Sequence, residues 1–285
     1  MTTAKQVTEP CTEHGEGPFW DSARGRLLVV DMLRGAVVAV SASGGTDRYE
    51  LGGVAATVRA RRTGGYVVAT ERGFQLYTAD FAPDGPEVSA FADPLIRMND
   101  GGCDPQGRFY CGTMAYAATP GAGTLYRLDA DLSVHPVLTG VTVSNGIQWA
   151  ADRKHVYYND TPTERVDRYD FDAEDGTFGD RQTFATIEPT LGQPDGMALD
   201  DEGGVWVALW GGGAVHRFGE DGTLTERIEL PTRQVTACTF GGRAGTTLYI
   251  TTSREGLGDT AEPEAGAVFA AETGVHGATQ HAFAA

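Results

Sequence analysis

The residues that could do chemistry together are scattered along this chain, not gathered in one motif. Arg97-Met98-Asn99-Asp100 puts a cation, an amide and a carboxylate within four residues. A turn follows, Asp104-Pro105-Gln106-Gly107, and then an alternating run from Arg108 to Thr113. A polar cluster held by a tight turn and a strand is how a rigid β scaffold presents a binding site. Elsewhere Glu16, Asn145 and Asp195 each stand beside a glycine or a proline. Together they offer two carboxylates and one amide oxygen, a hard donor set with positions left open for water. Such a set suits Ca, Mg or Mn better than Zn, which prefers cysteine and histidine. A divalent ion with open positions polarises a carbonyl and lowers the pKa of water. Taken singly, an Asn-Gly or Asp-Gly is a turn about nine times in ten. The case for a site rests on these residues occupying equivalent places in a repeat.

That repeat is visible as six apolar runs: Leu27–Asp31, Tyr66–Thr70, Phe109–Thr113, Val156–Asp160, Val205–Leu209 and Leu248–Thr252. They recur at intervals of 39 to 49 residues. A polar or Gly-rich turn precedes each run, and a second alternating run follows it, such as AVVAV from residue 36 or AVHRF from residue 214. A period of roughly 40–50 residues with several strands per unit predicts an all-β chain folded as a β-propeller. Six copies predict six blades, with about four antiparallel strands in each and one domain for residues 1–285. No stretch sustains a helical apolar period. The chain before Glu9 is expected to add a strand to the last blade and join the ends of the ring. Loops entering the innermost strands converge on one mouth of the channel. There the repeats carry Glu16, Arg97 to Asp100, Asn145 and Asp195, whereas the second and sixth carry Ala55-Ala56-Thr57 and Val235-Thr236-Ala237. Glycine at these entrances is expected to turn the backbone sharply and aim its neighbour into the channel.

Composition narrows the function further. The formal net charge is -17, which argues against nucleic acid and against anionic membrane surfaces. Four cysteines, Cys11, Cys103, Cys111 and Cys238, form no C-x-x-C pair and are read as reduced. The N-terminal residues have no apolar stretch of the kind a signal peptide carries, and no run approaches the roughly 20 apolar residues of a membrane span. A cytoplasmic protein, monomeric or a small homo-oligomer, is the expectation. There is no H-E-x-x-H, no G-x-S-x-G, and no lysine placed for a phosphate loop. Trp20, Trp149, Trp206, Trp210 and Tyr116 read as blade core or rim.

Four stretches in order, GEGPFWD from residue 15, RMNDGGCDPQGRFYCGTM from 97, SNGIQWA from 144 and PDGMALDDEGGVWVALWGGGAV from 194, resemble the senescence marker protein (regucalcin), gluconolactonase and luciferin-regenerating protein family. The resemblance covers nearly the whole chain. It implies a six-bladed propeller and a metal-dependent lactonase that opens sugar lactones to aldonic acids. It places Glu16, Asn145 and Asp195 at the metal, and Arg97, Asn99 and, beside them, Asp100 at the sugar. In the mechanism this suggests, Asp195 accepts the proton of the attacking water, Asn99 helps stabilise the oxyanion, and Arg97 and Asp100 orient the ring. Some animal members carry an acidic residue shortly after Gly-Thr-Met, where this chain reads Ala115-Tyr116-Ala117-Ala118, so their sugar selectivity does not transfer. Two other readings stay open: a hydrolase of a non-sugar lactone or phosphoester, and a calcium- or ligand-binding protein without turnover.

Overall fold

The computed structural model describes residues 3–285. Six four-stranded antiparallel sheets form the six blades of a β-propeller, as the repeat requires. Each apolar run lies on the second strand of its blade, for example Arg26–Asp31 in the first and Val205–Trp210 in the fifth. These strands are packed on both faces by neighbouring blades. They therefore read as continuous apolar runs and not as alternating ones. Leu27, Leu28, Val29 and Val30 are all fully buried. The outermost strands face solvent, and in the first blade Thr46–Glu50 is mostly exposed.

The sixth blade closes the ring. Its strands run in the order Lys5–Gln6, Val268–Glu272, Thr247–Thr252, Val235–Gly241. Lys5 pairs with Ala270 and Gln6 with Phe269, antiparallel. The N-terminal segment is thus the edge strand of the last blade, as expected, and further bonds extend the seam, including Val7 N–H to Val268 O at 2.8 Å. The apolar cores lie between blades. This leaves the ring's axis to polar side chains.

The innermost strands are Gly15–Asp21, Thr57–Ala60, Ile96–Cys103, Ser144–Trp149, Gln193–Leu199 and Val235–Gly241. Pairing with the second strand is interrupted between Glu16 and Phe19, Met98 and Gly101, Ser144 and Ile147, and Pro194 and Met197. In each, two residues oppose one on the partner. A bulge of this kind leaves residues out of the ladder and re-aims their side chains. Asn99-Asp100, Asn145-Gly146 and Asp195-Gly196 are the bulged pairs, and Glu16 is the last paired residue before the first bulge. The second blade pairs without interruption from Thr57 to Ala60 and contributes no polar site residue.

Two of the glycines at these entrances serve a purpose different from the expected one. Gly17 does have a left-handed backbone, with φ of 50°. Gly146 and Gly196 do not; they are required by close approach. A Cβ on Gly196 would lie 2.4 Å from Ala237 Cβ and 2.8 Å from Ala237 Cα on the next blade. One on Gly146 would lie 2.8 Å from Asp195 O. Glycine lets adjacent inner strands touch beside the site. Gly196→Ala is therefore expected to destabilise the protein by about 1–3 kcal/mol through overpacking. A urea midpoint unchanged from wild type would refute this.

Candidate active site

The bulged strands bring Glu16, Arg97, Asn99, Asn145 and Asp195 to one cavity of about 230 Å³. All five are buried. Met114, Val143, Thr161, Gln193, His14, Trp210 and Glu255 complete its lining. Asp100 is placed elsewhere. It lines a narrower space further along the axis, beside Arg59 and Cys103. Consecutive strand residues point to opposite faces, so Asn99 and Asp100 part company. Asp100 accepts the Gly101 N–H at 2.7 Å, and Arg59 spans the gap between blades with a hydrogen bond of 2.5 Å to Gly101 O.

A directed chain of hydrogen bonds fixes the amides. Arg97 Nη1 donates to Asn99 Oδ1 at 2.6 Å. Asn99 Nδ2 then donates to Ser144 O at 2.7 Å and to Asn145 Oδ1 at 2.9 Å. Asn145 Nδ2 donates to Thr161 Oγ1 at 2.7 Å, and Thr161 Oγ1 donates to Pro194 O at 2.9 Å. The guanidinium has no acceptor, so the direction of every amide follows from it. Both amide hydrogens of Asn99 are engaged. In this arrangement Asn99 has no free donor for an oxyanion; it holds the Asn145 oxygen in place. The bonds of Arg97 all leave from Nη1, to Met32 Sδ, Met98 O and Asn99 Oδ1, which leaves Nε and Nη2 available. Asn159, opposite the bulge of the fourth blade, donates to Asp195 O at 2.7 Å and ties the fifth blade to the fourth.

Electrostatics make this a crowded place for anions. Burial, followed by the charge of Asp100, pushes the Glu16 carboxyl up to about 8. Burial and the charges of Glu16 and Asp100 hold Asp195 well above the usual carboxylate range. Asp100 is itself raised by burial, with Arg59 opposing the shift. Burial lowers the Arg97 guanidinium, and Glu255, Tyr116, Glu16 and Asp195 oppose that shift. His14 is pressed down to about 3 by burial and by Arg97, so its ring is neutral.

Asp195 Oδ1 is buried and has no hydrogen-bond partner. A buried carboxylate oxygen left without a donor is costly unless a cation meets it. Glu16, Asn145 and Asp195 could hold a divalent cation here, through oxygens alone. No group of three His, Cys, Asp or Glu side chains among the described residues could do so, because the third donor is an amide.

The raised Glu16 has a consequence for stability. Its folded pKa of about 8 lies above the ordinary 4.5. Its favourable contribution is complete at low pH and is lost as pH rises through about 8. In the presence of chelator, wild type is expected to lose thermal stability relative to Glu16→Gln between about pH 5 and about pH 8. Parallel melting curves across that range would rule this out.

Sequence reasoning missed His14, Glu255 and Trp210. His14 lies two residues before Glu16, on the same face of an extended chain, and this spacing could have revealed it. Glu255 follows the second strand of the sixth blade and has no counterpart in the other repeats. Trp210 ends the second strand of the fifth blade and lines the cavity, whereas Trp149 and Trp206 are core residues. Tyr116 is at the rim, its hydroxyl 2.9 Å from Glu71 Oε1. Cys103, Cys111 and Cys238 are buried, Cys11 is partly so, and all four are free.

A six-bladed propeller with a carboxylate–amide cluster at one mouth of its axis defines a recognisable class. The family model described as SMP-30/Gluconolactonase/LRE-like region matches residues 14–254, and the chain belongs to that family. Among individual relatives, regucalcin of Sus scrofa is 35% identical over 268 residues, covering 90% of this chain and 89% of that protein. Pentonolactonase XacC of Haloferax volcanii is 36% identical over 254 residues, covering 89% and 86%. A solved luciferin-regenerating enzyme superposes with a TM-score of 0.92 at 27% identity over 100% of both chains. A calcium-binding regucalcin from Agrobacterium tumefaciens superposes with a TM-score of 0.90 at 28% identity over 99% of both.

Proposed function

We propose that this protein hydrolyses a sugar lactone to the corresponding aldonic acid, using a divalent cation held by Glu16, Asn145 and Asp195. The observation that carries the reading is the partnerless Asp195 Oδ1, buried in one cavity with Glu16 and Asn145. Relatives named as lactonases support the reaction class. The oxygen donor set favours Ca, Mg or Mn. A cation bound there supplies Lewis-acid polarisation of the carbonyl and a lowered pKa for water.

The chain's own residues do the rest. Asp195 takes a proton from the water that attacks the lactone carbonyl carbon. The new C–O bond forms, the ring C–O bond breaks, and the proton passes to the departing ring oxygen as the hydroxyl of the open acid. Arg97 presents Nε and Nη2 to the substrate, fixing the ring. Asn99 keeps the Asn145 oxygen oriented. Asp100, out of the cavity, keeps negative charge behind Glu16 and Asp195 and so strengthens the demand for a cation.

The test is acid release from a panel of five- and six-membered lactones by chelator-treated protein, with Ca, Mg, Mn or Zn added back. Turnover restored by metal is the expected result. Tight metal binding without turnover on any lactone would reject the reading in favour of an ion-binding role.

A further inference from the structure

One wall of the cavity takes no part in this mechanism. It consists of His14, Trp210 and Glu255, from the first, fifth and sixth blades. His14 Nδ1 lies 2.8 Å from Ser253 Oγ and 3.2 Å from Glu255 Oε2. Nδ1 is hydrogen-bonded to the Ser253 hydroxyl, and the Glu255 carboxylate lies alongside that pair. Ser253 Oγ in turn accepts the Glu255 backbone N–H at 3.0 Å. Ser253 thus braces the backbone that carries Glu255, and His14 lies against its carboxylate. One of its oxygens, Oε2, faces His14, and the side chain keeps 39% of its surface accessible. The His14 ring meets the indole of Trp210 edge to face at 5.9 Å, fixing that indole at the same wall. Nothing in this trio supports the blades' apolar cores.

We infer that Glu255 and Trp210 form a polyol-recognition subsite, with His14 and Ser253 as positioning residues, that selects lactones bearing hydroxyl groups over unsubstituted ones. The inference rests on the lactonase reading and deepens it. Arg97 has only donors, and Glu255 only accepts. A ring carrying hydroxyls can satisfy both, because each hydroxyl donates and accepts. A bare hydrocarbon lactone satisfies neither beyond its ester group. The flat indole suits the C–H face of a sugar ring. A site built to hydrogen-bond hydroxyls discriminates strongly against an analogue that lacks them, since its polar groups are then left unpaired.

The experiment compares D-glucono-1,5-lactone with δ-valerolactone, the same ring without hydroxyls, on wild type, Glu255→Gln, Glu255→Leu and Trp210→Leu. Glu255 is half-exposed, so its variants are expected to fold; melting temperature checks this. Wild type is expected to prefer the hydroxylated lactone. Glu255→Leu is expected to reduce that preference in kcat/KM by about 10–100-fold, mainly through KM, with Glu255→Gln intermediate. Trp210→Leu should act in the same direction. Equal losses on both lactones, or a loss confined to kcat, would overturn the inference while leaving the lactonase reading intact. So would a wild type that prefers δ-valerolactone. A wild type that turns over neither lactone, nor any other of the panel, would sink the lactonase reading itself and this inference with it.

Discussion

Asp195→Asn is expected to lower kcat for lactone hydrolysis by at least about 10³-fold, as the loss of both a base and a charge at the reacting centre requires. The substitution keeps the shape of the side chain. It removes the basic oxygen and one of three carboxylates lining the cavity. It should also do something that mere damage would not. Asp195 in its charged form is disfavoured by burial and by Glu16 and Asp100, so in chelator the neutral amide should raise the melting temperature. At the same time the increase in melting temperature that divalent cations confer on wild type should shrink or vanish. Loss of turnover, gain of metal-free stability and loss of metal-linked stability form one signature. Retention of more than a tenth of wild-type kcat would remove Asp195 from the mechanism. A variant that is both inactive and less stable in chelator would show that its carboxylate supports the fold.

The architecture could be read from the chain because each blade repeats the same physical demand. A second strand covered on both faces must be apolar throughout, and six such runs announced six blades. The seam was also foreseeable, since a propeller must hide its last edge. The proposed ligand trio came from the same logic: equivalent positions in different repeats. What pairwise reasoning could not supply was the bulge. Bulging decides that Asn145 and Asp195 leave the ladder and face the cavity. Asn99 and Asp100, for their part, are divided between two spaces. Alternation along the strand already contained that division, but the tetrapeptide Arg97 to Asp100 looked like one cluster. Gly146 and Gly196 looked like turn residues and proved to be points of blade contact. Glu255 was invisible for a different reason. It comes from a loop with no repeat equivalent, and its partner His14 is 241 residues away in sequence, so only the closed ring brings them together.

Arg97→Met should show how far the site depends on a residue that begins the hydrogen-bond chain. Among the described residues Arg97 is the one cation lining the cavity, and it is opposed there by Glu16, Asp195 and Glu255. Methionine fills a similar volume without charge or donors. Two losses follow. The substrate loses the free Nε and Nη2 donors, which should cost about 10²–10³-fold in kcat/KM, the range seen when a preorganised donor is removed. The Asn99 amide also loses the bond that fixes its orientation. It can then rotate and turn an oxygen toward Asn145 Oδ1 where it had presented N–H. The Asn145 oxygen would be less well held, and metal affinity should fall about 10–100-fold, as it does when a ligand's supporting partner is lost. Arg97→Lys separates the two contributions. A lysine retains the charge but not the fork of donors, so it should restore part of the metal affinity and little of kcat/KM. If Arg97→Met binds metal as tightly as wild type, the relay from Arg97 through Asn99 to Asn145 is packing alone. If Arg97→Lys recovers full activity, charge and not geometry is what Arg97 contributes.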